Sequence, residues 1–309
     1  MKVLEKILLI LCILCLMAGA MAYDAFYAAP KRFTPRYETL SSEAIPAQLD
    51  DVTILFFSDL DYNRFMNKDR LEKLVKAVNN VSPDVIIFGG DLFDADTGPV
   101  SEQVLLDLTD GLKRMEAPLG KFAVLGDTDH MNDTMLDFVR RVLYDADFEL
   151  LENKSIPIRN TGSQSVTLVG LDNGLNGSLS TRLAYASVSP STYAITVCHT
   201  PDTADRVPAD LTDYFLAGHS HGGQIFYGFG AYYMPEQAFN YLRGKHSVSG
   251  AFTLDITSGV GTTGQDVRFL ANAEIVLYRL KHIESQTPQQ PQAPQVQQPQ
   301  DTQEQQVEP

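Results

Sequence analysis

Short apolar runs alternate with amphipathic stretches from about residue 51 to residue 283. Val52 to Phe57 reads as a buried strand, and Lys68 to Asn80 as a helix with Leu71, Leu74, Val75 and Val78 on one face. Ser82-Pro83 ends that helix, and Val85 to Phe88 is the next strand. A helix over Ser101 to Met115 follows, carried by Val104, Leu105, Leu108 and Leu112, and then a strand over Phe122 to Leu125. Asn132 caps a further helix bearing Met135, Phe138, Val139, Val142 and Leu143. This strand–helix order predicts a sheet with helices on its faces. The second half changes character. Ser155 to Ile158 and Val166 to Val169 form a hairpin across Asn160-Thr161-Gly162, and Tyr193 to Val197 and Tyr214 to Ala217 are buried strands. Phe252 to Ile256 and Glu274 to Tyr278 are β-like. A second sheet facing the first makes the expected fold an α/β class, four-layer α/β/β/α sandwich of two mixed sheets.

The ends fall outside this pattern. Lys2 and Lys6 precede an apolar run from Ile7, and Ala20-Met21-Ala22 has the small residues that a signal peptidase accepts. Residues 1–22 are therefore expected as a signal peptide or an N-terminal membrane anchor, with the body outside the cytoplasm, anchored or secreted. Residues 23–50, with Pro30, Pro35 and Pro46, read as a connector holding one edge strand. Residues 284–309 are almost wholly Gln, Pro, Thr and acid, and are expected to be disordered.

Composition narrows the chemistry. The net charge is -15 and the pI about 4.7, which argues against a nucleic-acid partner. Cys12 and Cys15 lie in the leader, so the body holds only Cys198 and has neither an internal disulfide nor a Cys-rich zinc site. Cys198 reads as a small core residue.

Acids and imidazoles follow the buried strands. Asp59 and Asp61 follow the first, Asp91 and Asp94 the second, and Asp127 and Asp129 the third. His199 and the pair His219 and His221 follow two strands of the second half. Ligands bind at the carboxyl ends of strands in open α/β sheets. One Asp after a strand is ordinarily a turn residue, and a lone His is ordinarily a surface or satisfied core residue. Five strand ends carrying such residues together point to a metal cluster, because carboxylates crowd only around cations.

These motifs resemble the calcineurin-like metallophosphoesterases, particularly their membrane-associated bacterial branch. Gly90-Asp91-Leu92-Phe93-Asp94 matches G-D-x-x-D, and Gly218-His219-Ser220-His221-Gly222-Gly223-Gln224 matches G-H-x-H with the G-G-Q extension. His199 matches the isolated His motif, and Ser258 to Gly264 with Arg268-Phe269 is similar to the branch's C-terminal segment. The resemblance implies one metal on Asp59, Asp61 and His221, another on Asp127, His199 and His219, and Asp91 bridging. Two divalent ions are expected, Mn2+ favoured, with Mg2+, Fe2+, Ca2+ or Zn2+ the alternatives. It also implies a phosphomonoester or phosphodiester substrate, lipid-linked or nucleotide-sugar, attacked by a hydroxide activated between the two metals.

Two motifs depart. The first, D-x-H in the family, reads Asp59-Leu60-Asp61, and the third, G-N-H-D or G-N-H-E, reads Gly126-Asp127-Thr128-Asp129. A His ligand has become Asp61, an Asn ligand Asp127, and the imidazole that assists the leaving group Thr128. Four carboxylates then neutralise two divalent ions, which predicts weaker Lewis acidity and a higher pKa for bound water. Thr128 and Asp129 are the candidate catalytic residues. The Thr128 hydroxyl is able to donate to a phosphoryl oxygen but not to move protons as an imidazole does, a loss of about 10²–10⁴-fold where a general acid is removed. His130 is expected at the start of the next helix, facing solvent. The chain is thus expected to be a metallophosphoesterase impaired at Thr128. The alternative is a degenerate relative that binds metal or a phosphorylated ligand with little or no turnover. Tyr227, Phe229, Tyr232, Tyr233 and Tyr241 form an aromatic stretch, read either as loop packing or as a substrate wall or membrane-facing lip.

Overall fold

The structure, a computed structural model, describes residues 2–284. The Gln/Pro tail lies, from Ser285 onward, outside the described residues. The first half alternates strands β2 (Thr53–Phe57), β3 (Val85–Phe88), β4 (Lys121–Ala123) and β5 (Phe148–Leu150) with helices α2 (Lys68–Asn80), α3 (Glu102–Lys113) and α4 (Asp133–Asp145). Each of those helices starts on a side-chain cap, with Asn67, Ser101 and Asn132 accepting from the backbone N–H three residues on.

Two six-stranded sheets result. The first runs β1 (Thr34–Ser42), β12 (Glu274–His282), β2, β3, β4, β5. The second runs β10 (Gly244–Val248), β11 (Phe252–Ile256), β9 (Tyr214–Ala217), β8 (Ala194–Val197), β7 (Val166–Gly170), β6 (Lys154–Ile158). In the first, β2 to β5 are parallel and β12 is antiparallel to β2, so the sheet is mixed.

Strand periodicity splits the core. Leu55, Phe57, Ile86 and Phe88 pack beneath α2, α3 and α4. Their neighbours Ile54, Phe56, Val85 and Ile87 pack against Leu168, Ile195 and Leu216 of the second sheet. Burial on both faces explains why β2 and β3 read as continuous apolar runs. The outer face of the second sheet buries Val169, Phe215, Leu254 and Ile256 with Tyr185 and Ala204. Its cover is thin: the short helix α5 (Thr181–Ala184) and a 3-10 turn over Pro201–Arg206 form the fourth layer.

Strand β1 lies within the expected connector and is clamped across both sheets. Arg36 on β1 makes two hydrogen bonds of 2.9 Å to the buried Asp255 on β11, which also accepts from Tyr278 at 2.8 Å. Strands β5 and β10 have no counterpart in the apolar pattern. The first is only three residues long, and the second, Gly-Lys-His-Ser-Val, is a polar edge. At the N-terminus, α1 (Lys2–Tyr23) is exposed throughout. A π-helical turn over Asp24–Ala28 continues it into the body, where Ala25, Ala29 and Pro30 are buried. The helical stretch over Lys2–Lys31 is long and apolar enough to cross a membrane, its most apolar 18-residue window having a mean hydropathy of 2.4.

Candidate metal centre

The loops after β2, β3, β4, β8 and β9 converge at one end of the sandwich. The hydrogen bonding of β2 with β3 persists past both strands: Asp59 N–H donates to Gly90 O at 2.9 Å, and Leu60 N–H to Asp91 O at 2.9 Å. The chain must turn sharply to keep side chains aimed at one spot. Asp59, Asp61, Asp91, His219 and His221 accordingly adopt the left-handed region, with φ of 55°, 49°, 59°, 70° and 50°. Asp and His tolerate that region better than most side chains, and backbone strain of this kind collects at functional sites.

All seven expected ligands come together. Asp91, Asp127, His199 and His219 each present a donor atom within 4.8 Å of the others. His199 Nε2 lies 3.1 Å from Asp91 Oδ2 and 3.3 Å from Asp127 Oδ1, and His219 Nδ1 lies 2.9 Å from Asp127 Oδ1. A second group sits alongside, with His221 Nε2 3.7 Å from both Asp59 Oδ1 and Asp61 Oδ2. Asp59 Oδ1 is 3.9 Å from His199 Nε2, which joins the groups.

The donor set fits divalent metal. His199 Nδ1 lies 2.7 Å from Gly89 O, and His219 Nε2 lies 2.7 Å from Glu236 O. A carbonyl only accepts, so each of these nitrogens carries a proton and the opposite ring nitrogen is aimed at the carboxylates, where it would ligate a cation once unprotonated. Metal-ligating histidines are oriented in this way. Asp61 Oδ2, Asp127 Oδ1 and His199 Nε2 are buried without a hydrogen-bond partner. Burial, then Asp59, Asp91 and Asp94, hold the Asp61 carboxyl well above its usual range, and burial, then Asp127, raise Asp91. Burial pushes the His221 imidazole down to about 4. Cations placed among these groups relieve both the crowding and the missing partners.

Two supports surround the cluster. Glycines crowd the ligand carboxylates: a Cβ on Gly126 would fall 2.1 Å from Asp91 Oδ1, one on Gly259 2.7 Å from Asp59 Oδ2, and one on Gly261 2.6 Å from Asp61 Oδ2. Arg268 is fully buried, and its guanidinium donates to the carbonyls of Ser258 (2.7 Å), Gly261 (2.6 Å) and Ala271 (2.8 Å). Burial lowers its pKa to about 10, opposed by Asp59 and Asp61. It thus fixes the Gly-rich strap and puts a positive charge beside the carboxylates that a count of ligands alone omits.

The family model for calcineurin-like phosphoesterases matches residues 52–223. The chain belongs to that family. Relatives include an uncharacterized metallophosphoesterase, YkuE, of Bacillus subtilis, 26% identical over 86% of this chain and 92% of its own length. An uncharacterized metallophosphoesterase of Aquifex aeolicus is 27% identical over 79% of this chain and 90% of its own length. A UDP-2,3-diacylglucosamine pyrophosphatase, LpxG, of Chlamydia muridarum is 25% identical over 58% of this chain and 66% of its own length.

Within the family frame, the third motif holds the site rather than facing it. The Asp129 carboxylate accepts the N–H groups of Asp91 (3.0 Å), Leu92 (2.9 Å) and Gly126 (2.8 Å), tying two ligand loops together. Burial first, then Asp91, raise its pKa to about 6. Thr128 is buried, with its hydroxyl donating to Phe93 O at 2.7 Å and lying 3.0 Å from Asp91 Oδ1. Its backbone N–H donates to the same Asp91 oxygen at 3.0 Å. The polar atoms of both candidate catalytic residues are thus taken up by the chain. His130 also departs from expectation. It ends a 3-10 turn before α4, and its Nε2 lies 2.7 Å from Asp172 Oδ1 with little exposure to solvent. Asp94 caps Asp96 N–H and pairs with Arg64 at 3.0 Å, so it braces the loop. Cys198 is buried in the outer core of the second sheet.

Composition and strand ends gave no sign of Arg268, Gly259 or Gly261 as site builders. Their signal is the Ser258 to Gly264 segment itself, which carries no metal donor yet is glycine-dense.

Proposed function

We propose that this chain is a membrane-anchored, extracytoplasmic phosphoesterase that hydrolyses a phosphomonoester or phosphodiester with two divalent metal ions. One observation carries the reading: buried, partnerless donor atoms converge from both sheets, and two imidazoles are turned by backbone carbonyls so that their opposite nitrogens point inward. Asp59, Asp61 and His221 would hold one ion, Asp127, His199 and His219 the other, and Asp91 both. Bound there, the ions supply positive charge for the phosphoryl oxygens and acidify water. The chain's own part is to fix these donors, through Asp129, Thr128 and Arg268, and to keep other protein groups off the inner faces. The lipid-sugar pyrophosphatase among the relatives supports a lipid-linked or nucleotide-sugar phosphoester as substrate, and the carboxylate-rich ligand set supports Mn2+ over Zn2+.

A second reading, a metal-binding relative with little turnover, is favoured by one feature. The family's imidazole position is Thr128, whose hydroxyl is engaged, and His130 is engaged by Asp172. The full-length protein in detergent with Mn2+, assayed on an aryl and an alkyl phosphodiester, separates the two. Turnover of the aryl ester that vanishes in Asp91→Asn supports the enzyme. Metal binding by calorimetry without turnover of either ester supports the second reading.

A further inference from the structure

Exposed aromatic side chains gather on the excursion between the His219 loop and β10. Tyr227, Phe229, Tyr232 and Phe239 are exposed there, Phe229 by 93%. Single exposed apolar residues are ordinary, whereas a connected group marks a surface that meets something.

This group is connected in two directions. Phe226 N–H donates to Phe269 O at 2.9 Å, and the Arg243 guanidinium lies 4.4 Å from the Phe226 ring centre while donating to Leu270 O at 2.9 Å. Phe269 and Leu270 in turn line a cavity of about 540 Å³ with Ala20, Met21 and Asp24 at the foot of α1. Arg268 N–H donates to Ala25 O at 2.9 Å, which fixes that foot to the body. In the other direction, the Tyr233 ring sits edge-on to His221 at 5.4 Å, and Glu236 O orients His219. One segment therefore joins the end of α1, the exposed aromatic tip and two metal-site histidines.

The apolar helix names the occupant. Helix α1 buries none of its residues, and its 22 residues at about 1.5 Å each span about 33 Å, close to the thickness of a hydrocarbon core. A medium that takes up α1 also lies against the segment that holds its foot. Tyr and Phe at that level suit the boundary between headgroups and acyl chains.

We propose that the 226–239 excursion, with Phe269 and Leu270, seats on the surface of the lipid bilayer that takes up α1. The metal centre then opens at headgroup level. The seating stands whether or not the centre turns over a phosphoester.

The chain contains no tryptophan, so single substitutions give unambiguous reporters. Phe229→Trp, Tyr232→Trp and Tyr144→Trp, the last exposed on α4, are placed one at a time in the full chain. Each variant is reconstituted in phosphatidylcholine and phosphatidylglycerol vesicles with and without acyl-brominated lipid. The first two are expected to emit to the blue and to lose most of their emission to the bromines, while Tyr144→Trp stays at the solvent wavelength and unquenched. Emission from Phe229→Trp and Tyr232→Trp that matches Tyr144→Trp overturns the proposal. So does a blue shift without bromine quenching, which would mean cover by protein, such as a second copy of the chain. The readout needs no catalysis, so it fails independently of the phosphoesterase reading.

Discussion

Gly261 lies flat against Asp61. A Cβ at this position would come within 2.6 Å of Asp61 Oδ2, and within 2.6 Å and 2.7 Å of the carbonyls of Leu60 and Asp59. Backbone oxygens give way less readily than a side-chain tip, so the strap and the first ligand loop must part for any larger residue. Gly261→Ala is expected to weaken Mn2+ binding by about 10–100-fold, the usual cost of disturbing what orients a ligand. Gly98→Ala, in open space, is the control and leaves affinity unchanged. Calorimetry of both variants checks this, and equal affinities would show that the close approach is idle.

The strap illustrates where the sequence stops being informative. The apolar runs are legible because β2, β3, β8 and β9 are buried on both faces, and an Asp or His just past a buried strand can only fall at the sheet's end. The seven candidate ligands were visible for that reason. What Thr128 and Asp129 do was not, because motif position places a residue near the chemistry without saying which neighbours consume its polar atoms. Arg268 was hidden similarly: a lone Arg is ordinarily on the surface, and only the three-dimensional approach of five carbonyls makes its burial tenable. The edge strand expected in the connector is β1, but its pairing was not legible, because its partner, β12, is more than two hundred residues away in sequence.

The Thr128 N–H holds Asp91 Oδ1, and its hydroxyl donates to Phe93 O. Thr128→Ser keeps the hydroxyl and is expected to match the wild type in stability and Mn2+ affinity. Thr128→Val leaves Phe93 O short of its donor, at a cost of about 1–3 kcal/mol, while the backbone N–H to Asp91 remains. Denaturant unfolding measures the difference. If turnover is present, the shape of its pH profile should be the same in the serine variant, and a displaced limb would return Thr128 to a direct role.

The clamp between the sheets tests whether β1 belongs to the domain. Asp255 is fully buried and relies on Arg36 for its charge partner. Arg36→Met strands that carboxylate, and removing one partner of a buried pair costs about 3–5 kcal/mol. A clear fall in the thermal midpoint is expected for Arg36→Met, largely restored in the double variant with Asp255→Asn. A midpoint unmoved in the single variant would make β1 a peripheral strand.

The pairing of His130 with Asp172 gives stability a pH dependence of known sign. The hydrogen bond to Asp172, the largest cause, raises the His130 pKa above the ordinary 6.5. Its contribution is therefore full below pH 6.5 and is lost as pH rises through the raised folded value. Asp172 is lowered below 3.8 by His130 and two backbone N–H groups, against its burial, so its share is present above pH 3.8 and lost on acidification. The stability difference between wild type and His130→Gln should be greatest between those limits and shrink on the alkaline side. A difference that grows with pH above 6.5 contradicts the assignment.

Asp127 Oδ1 faces His199 and His219, while its other oxygen receives no hydrogen bond from the described residues and the side chain is partly open to solvent. Asp127→Asn can therefore keep an oxygen on the histidine side and turn its amide outward, which alters charge with little change of shape. It also restores the residue type of the family's third motif. With one negative charge fewer, the loaded centre attracts a phosphate dianion more strongly and acidifies water more effectively. Inorganic phosphate should bind Asp127→Asn more tightly than wild type, and turnover of the aryl phosphodiester, where present, should rise and extend to lower pH. The preference for Mn2+ over Zn2+ should narrow, since a hard anionic donor has been lost. Phosphate affinity that falls in this variant while Mn2+ remains bound would mean that the Asp127 charge does not limit the site, and Asp61 and Thr128 would then be the departures left to account for any slow turnover.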